Sequence, residues 1–187
     1  MTSILKVDTI QNVSTGTTAM TIDSTGGVSG IATTKTEVAT TSGTFKDITV
    51  PSTAKIIYVG IMGFSHSGST ANQEIQLGTS GGIVTSGYQS TALYLGGGHN
   101  SGGANVTTTD SFAFAHNVGV GSIVYGLMTI ASMGGNQYCI SSNVKIGAYI
   151  NWGAGYVSLG GAVTTIRIQT DSGQTLDAGA FNVTYVE

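Results

Sequence analysis

The spacing of apolar residues restricts this chain more than any other feature. From residue 36 onward they alternate with Ser, Thr and other small polar residues in runs of strand length, and Gly-rich turns separate the runs. Thr44–Val50 sets Phe45, Asp47 and Thr49 against Lys46, Ile48 and Val50, and Pro51, which has no N–H for a ladder, ends it. Val163–Gln169 sets Ile166 and Ile168 against Thr165 and Arg167, and Ala180–Val186 places Phe181, Val183 and Tyr185 on one face. No segment repeats at 3.6 residues with helix caps. About eight strands at this spacing predict an all-β fold, an antiparallel, jelly-roll-like β-sandwich over residues 36–187.

Several runs carry finer expectations. In Lys55–Phe64, Ile56, Tyr58, Met62 and Phe64 face one way and Ile57, Val59 and Ile61 the other, so both faces are expected to be covered, one by the core or a subunit contact. Glu74–Leu77 reads as a half-buried strand. Further strands fall in Thr108–Val118, with Phe112 and Phe114 as its heavy face, in Ser122–Ser132 and in Tyr138–Ile150. Gly96–Gly103 reads as a long loop.

Charge narrows the function classes. Only 8% of residues are charged, against about 25% in an ordinary soluble domain, so strand edges and faces lack the charge that normally blunts pairing. A homo-oligomer with much of its outer surface covered is therefore expected. The six basic residues are dispersed and the net charge is −3, which offers nothing to nucleic acid or anionic lipid. No run approaches the ~20 apolar residues of a spanning helix, and scattered aromatics fit an outer-membrane barrel poorly, so no membrane insertion is expected. Lys6 and Asp8 interrupt any signal-peptide pattern, and synthesis in a cytosol without signal-directed export is expected.

Ahead of the sandwich lies a different module. Ser3–Asn12 and Gly16–Asp23 read as two short strands around the turn residues Val13–Gly16, too small to bury a core alone. Leu5, Val7, Ile10, Met20 and Ile22 are its apolar residues and the candidates for contact with copies or a larger particle. Ser24–Gly30 reads as turn and linker, giving an N-terminal segment over residues 1–35.

Two regions carry a resemblance. Ser3-Ile4-Leu5-Lys6-Val7-Asp8-Thr9-Ile10-Gln11 with Thr17-Thr18-Ala19-Met20-Thr21-Ile22-Asp23 resembles the N-terminal segment of bacteriophage tail-fibre and related virion proteins. Ile75–Ile83, Thr85–Tyr88, Val163–Ile168 and Leu176–Glu187 are similar to a small phage-fibre C-terminal domain. The resemblance implies a non-enzymatic virion protein, a homotrimer attached to tail or capsid proteins by its N-terminal strands, with an outward β domain for host-surface binding. Residues 1–35 are short for a stalk, which leaves a capsid decoration, cement or head-fibre protein as the alternative; a glycan-cleaving spike enzyme is a third reading and lacks clustered acids.

Candidate chemistry is sparse. Tyr149, Trp152 and Tyr156, in a Gly-flanked stretch read as a loop, offer flat apolar faces that suit a host glycan, although packing at a sandwich end or subunit contact is the plainer reading. His66, His99 and His116 lack metal-ligand spacing. His116 shares the parity of Phe112 and Phe114 and is expected to be the buried one, and Cys139 is expected to be a small buried hydrophobe. Asp171 and Asp177 flank a Ser-Gly turn. Neither a metal nor another cofactor is expected.

Overall fold

A computed structural model describes residues 9–11, 18–22, 28–29, 35–96 and 104–186. The chain divides into two compact units, Met1–Thr34 and Lys35–Glu187. In the first, β1 (Thr9–Gln11), β2 (Thr18–Ile22) and β3 (Val28–Ser29) form a three-stranded antiparallel sheet. Its register sets Ile10 opposite Met20 and Ile22 opposite Val28. The third strand lies in the stretch read as linker. Leu5 and Val7 lie outside the described residues.

The second unit is an antiparallel β-sandwich. Its strands are β4 (Lys35–Ala39), β5 (Phe45–Thr49), β6 (Ile56–His66), β7 (Ala71–Thr79), β8 (Gly82–Ile83), β9 (Tyr88–Gly96), β10 (Ala104–Thr108), β11 (Phe112–Val118), β12 (Val124–Gly134), β13 (Gln137–Ile146), β14 (Tyr149–Ser158), β15 (Thr165–Thr170) and β16 (Leu176–Val186). The large sheet runs β10-β9-β14-β13-β12-β6-β16-β4, and the small one β11-β7-β15-β5, with β8 on β7. The chain changes sheets repeatedly, from β4 to β5, β5 to β6, β6 to β7, β8 to β9, β10 to β11, β11 to β12, β14 to β15 and β15 to β16, which interlocks the two layers.

The core is what the alternation predicts. Inward residues of β6 (Ile57, Val59, Ile61), β12 (Met128, Ile130), β13 (Ile140, Val144) and β16 (Phe181, Val183) meet Ile48, Ile75, Leu77, Ile166 and Ile168 of the small sheet. Phe64, Phe114 and Phe181 form an aromatic centre with ring separations of 5.1–6.2 Å. Phe112 lies on the inner face of β14, where a Cβ at Gly153 or Gly155 would come within 3.0 and 2.8 Å of its ring. Those two glycines admit a phenylalanine flat against the sheet.

Four expectations change. Phe64 faces inward with Ile61, because Gly63 is an extra residue between the Val124–Phe64 and Tyr125–Met62 pairs and reverses side-chain parity. A second irregularity between Ala113 and Ala115 does the same on β11, so His116 emerges half-buried while His66 is fully buried. Tyr138–Ile150 is two strands with a turn at Gly147, and Trp152 therefore stands on β14, not on a loop. Cys139 points outward, one step from the buried Tyr138 and Ile140 on a strictly alternating strand. The segment 97–103 and His99 within it lie outside the described residues.

Candidate binding surfaces

The two outer faces of the sandwich differ in chemistry. On the small sheet, Arg167 donates to both carboxylate oxygens of Asp47, each at 2.8 Å, while its guanidinium lies 4.0 Å from the centre of the Phe45 ring. The hydrogen bond to Asp47 raises the Arg167 pKa further above its ordinary value. Gln76 donates to the Asp110 carbonyl, and Ser111 bonds the Glu74 carboxylate, so segment 110–111 covers that end of the face. Burial is the main force on Glu74, raising its pKa to about 7, with Asp171 and Asp110 adding to the rise. This face is polar apart from Phe45; it is covered at its Glu74–Gln76 end and exposed along β5.

The outer face of the large sheet carries an exposed apolar patch across five of its strands. Pairing registers align two rows across β9, β14, β13, β12 and β6. One row is Leu93, Trp152, Asn143, Leu127 and Gly60, and the next is Leu95, Ile150, Lys145, Tyr125 and Met62. Trp152 is 44 %, Leu127 49 %, Met62 55 % and Tyr125 56 % exposed. Tyr58, paired with Thr129, extends the patch on β6. Lys145 is the one charge in these two rows. A shallow depression of about 380 Å³ between Ile123, Tyr125, Lys145 and Tyr149 continues the patch to the β13–β14 turn. An exposed apolar surface of this breadth is a candidate interaction site.

The three aromatic residues expected to meet a sugar do not form one surface. Trp152 and Tyr156 share the outer face of β14 with Ile150 and Ala154. Tyr149 has the parity of Asn151, which is buried, and stands at the border, lining a cleft with Tyr94 and His116 on one side and the depression beside Tyr125 and Lys145 on the other. Strand periodicity separates them: residues 149 and 152 differ by an odd number, so their side chains leave opposite faces.

That cleft has no local signature in the sequence. Its walls come from β9, β11, the end of β13, β14 and the turn at 119–122, and the β9–β14 pairing sets Tyr94 opposite Asn151. The bulge in β11 then turns His116 toward them. Among the described residues, no group of three or more His, Cys, Asp or Glu side chains is placed to hold a metal ion. No helix among them is long and apolar enough to cross a membrane. No protein-family model matches the chain, and no curated protein matches it in sequence.

Proposed function

We propose that the chain is a non-enzymatic structural protein of a phage virion, of the fibre type, and that its sandwich self-associates as a homotrimer through the outer face of the large sheet. The carrying observation is the contrast between that patch and the small sheet's face: two rows of aligned Leu, Ile, Trp, Tyr and Met side chains across five strands bear one lysine, and they lie on the same domain as a mainly polar face organised around the Arg167–Asp47 pair. Burying such side chains contributes roughly 1.5–3 kcal/mol each, enough to hold copies together without charge pairing. The resemblance of residues 3–23 to virion-attachment segments supplies the second half of the reading, in which β1–β3 dock on other virion proteins and the sandwich faces outward toward the host surface.

The test combines mass by light scattering with localisation on the particle. The full chain is expected to run as a trimer and Leu127→Lys as a monomer with native circular dichroism. A wild-type monomer would overturn the self-association. A C-terminal gold label is expected at the tips of tail or head fibres, and a uniform distribution over the capsid shell would favour the cement reading instead.

A further inference from the structure

We infer that the cleft between Tyr94, Tyr149, His116 and Asn151 is a binding site for one neutral pyranose ring. This does not rest on the virion reading, because every element of it belongs to the cleft itself: β9, β11, β14, the end of β13 and the turn carrying Ser122, with Asn72 of β7 behind His116. Asn151 carries the inference. Its side chain is 1 % exposed, and its Oδ1 accepts the His116 backbone N–H at 3.0 Å. That bond fixes the orientation of the amide, since the backbone group can only donate. The Nδ2 is thereby left with two donor hydrogens, no hydrogen-bond partner among the described residues and no contact with solvent. A buried donor in that condition awaits an acceptor.

The surroundings specify the acceptor's class. Tyr94 and Tyr149 stand edge to face with ring centres 5.4 Å apart, and Tyr94 lies 5.9 Å from the imidazole of His116. These are apolar ring faces suited to the C–H side of a sugar. The His116 Nδ1 meets Asn72 Oδ1 at 2.8 Å, and that oxygen also accepts the Asn117 backbone N–H, so Nδ1 carries the proton and donates. Burial lowers the His116 pKa, with Asp171 opposing weakly, which favours the neutral ring and leaves Nε2 as an acceptor. The site therefore combines a donor at Asn151 with an acceptor at His116, and Ser122 supplies a hydroxyl. Sugar hydroxyls both accept and donate, which matches this set. Among the described residues, no Asp, Glu, Lys or Arg side chain lines the cleft, so the ring is neutral and not a uronic or sialic acid.

The cleft holds about 160 Å³, close to the ~150 Å³ of a cavity that encloses one benzene ring, so a larger pyranose sits with one face in the cleft and the remainder outside it. Nδ2 is shielded in the unliganded chain, so a sugar oxygen reaches it with a shift of the cleft wall, of which Tyr149, 41 % exposed, is the least enclosed aromatic residue.

The test is titration of the ¹⁵N-labelled full chain with methyl glucoside, galactoside, mannoside and N-acetylglucosaminide, with methyl glucuronide as the charged comparison. At least one neutral glycoside is expected to shift the Asn151 Nδ2H₂ signals and the Tyr94 and His116 amides, leaving the Trp152 indole N–H in place. Tyr149→Ala, at an exposed position, is expected to weaken binding about tenfold, and Phe45→Ala, on the small sheet, to leave it unchanged. Ser122→Val gives a second weakened variant that keeps the aromatic wall. Absence of shifts with every neutral glycoside overturns the site, as do shifts centred on Trp152 and Tyr156 or equal binding of the glucuronide.

Discussion

Gly179 of β16 lies so close to Gly63 of β6 that a Cβ on it would stand 2.4 Å from the Gly63 carbonyl carbon and 2.5 Å from the Phe64 nitrogen. Both residues have positive φ, 68° at Gly63 and 89° at Gly179, and each sits at an irregularity in its strand pairing. The paired bulges reverse the parity of β6 at one point and send Phe64 into the aromatic centre. Gly179→Ala combines left-handed backbone strain with overlap against main-chain atoms that cannot rotate away. A cost of at least about 3 kcal/mol is expected, lowering Tm by roughly 6–12 °C at this domain size. Gly87, with φ 84° and open space around it, supplies the comparison: Gly87→Ala carries the strain alone, about 1–2 kcal/mol. Equal melting shifts for the two variants would show that the close approach costs nothing.

Tyr88 is a buried residue whose hydroxyl accepts the Leu77 backbone N–H at 2.6 Å. Burial pushes its pKa up to about 12, so the phenol stays neutral. Tyr88→Phe keeps the ring and removes the acceptor, stranding a buried N–H in the middle of β7. The expected loss is about 1–3 kcal/mol in urea unfolding, together with faster exchange of the Leu77 amide. Tyr138→Phe repeats the experiment at Val163, whose N–H donates to the Tyr138 hydroxyl at 3.0 Å. A neutral effect at both sites would mean that water replaces the phenols.

Glu74 makes stability fall with rising pH. Its carboxyl is 3 % exposed and its pKa is raised from 4.5 to about 7, chiefly by burial. The folded state therefore binds the proton more tightly than the unfolded chain. The stabilisation is complete below pH 4.5, is lost as pH rises toward 7, and is absent above that. Its upper bound over this window is about 3 kcal/mol. His116 works in the opposite sense, since burial lowers its pKa and its contribution is lost as pH falls below 6.5. The difference between wild type and Glu74→Gln isolates the carboxyl. The variant is expected to be the more stable at about pH 8, with the gap closing toward pH 4.5, as measured by chemical denaturation. A pH-independent gap would refute the raised pKa.

The alternation of Ile48, Ile166, Ile168 and Val183 with polar neighbours announces the sandwich, because a regular strand converts period-two patterning directly into an inside and an outside. What sequence reading misses lies where that conversion breaks. Glycine at position 63 resembles any turn residue, and the stretch from Ala113 to Ala115 carries no glycine at all, yet both sites add a residue and reverse the faces that follow. His116 and Phe64 are misassigned for that single reason. Glu74 and Gln76 read as solvent-facing because their cover, Asp110 and Ser111, arrives from a different part of the chain. The Asn151 cleft draws on four strands, the turn at 119–122 and the irregular pairing of β11, and no local pattern encodes it. By contrast, the apolar outer face of β6 is visible in Tyr58 and Met62, and its breadth follows from Leu127 and Trp152 falling into register beside them.

Cys139 turns that outer face into a measurable quantity. It lies on β13 opposite Ala131 of β12 and Tyr156 of β14, on the same face as Leu127 and Trp152, with its thiol exposed in the single chain. If copies cover this face, the thiol is shielded in the assembly and open in the monomer, so its reaction with a small disulfide reagent reports association directly. The rate is expected to rise as the protein is diluted through its dissociation range, and to be fast and independent of concentration in Leu127→Lys. The comparison is sensitive because this is the only cysteine of the chain. Assembly through the small sheet or through residues 1–34 alone would leave Cys139 equally reactive at every concentration in both proteins, and that result would move the subunit contact away from the large sheet.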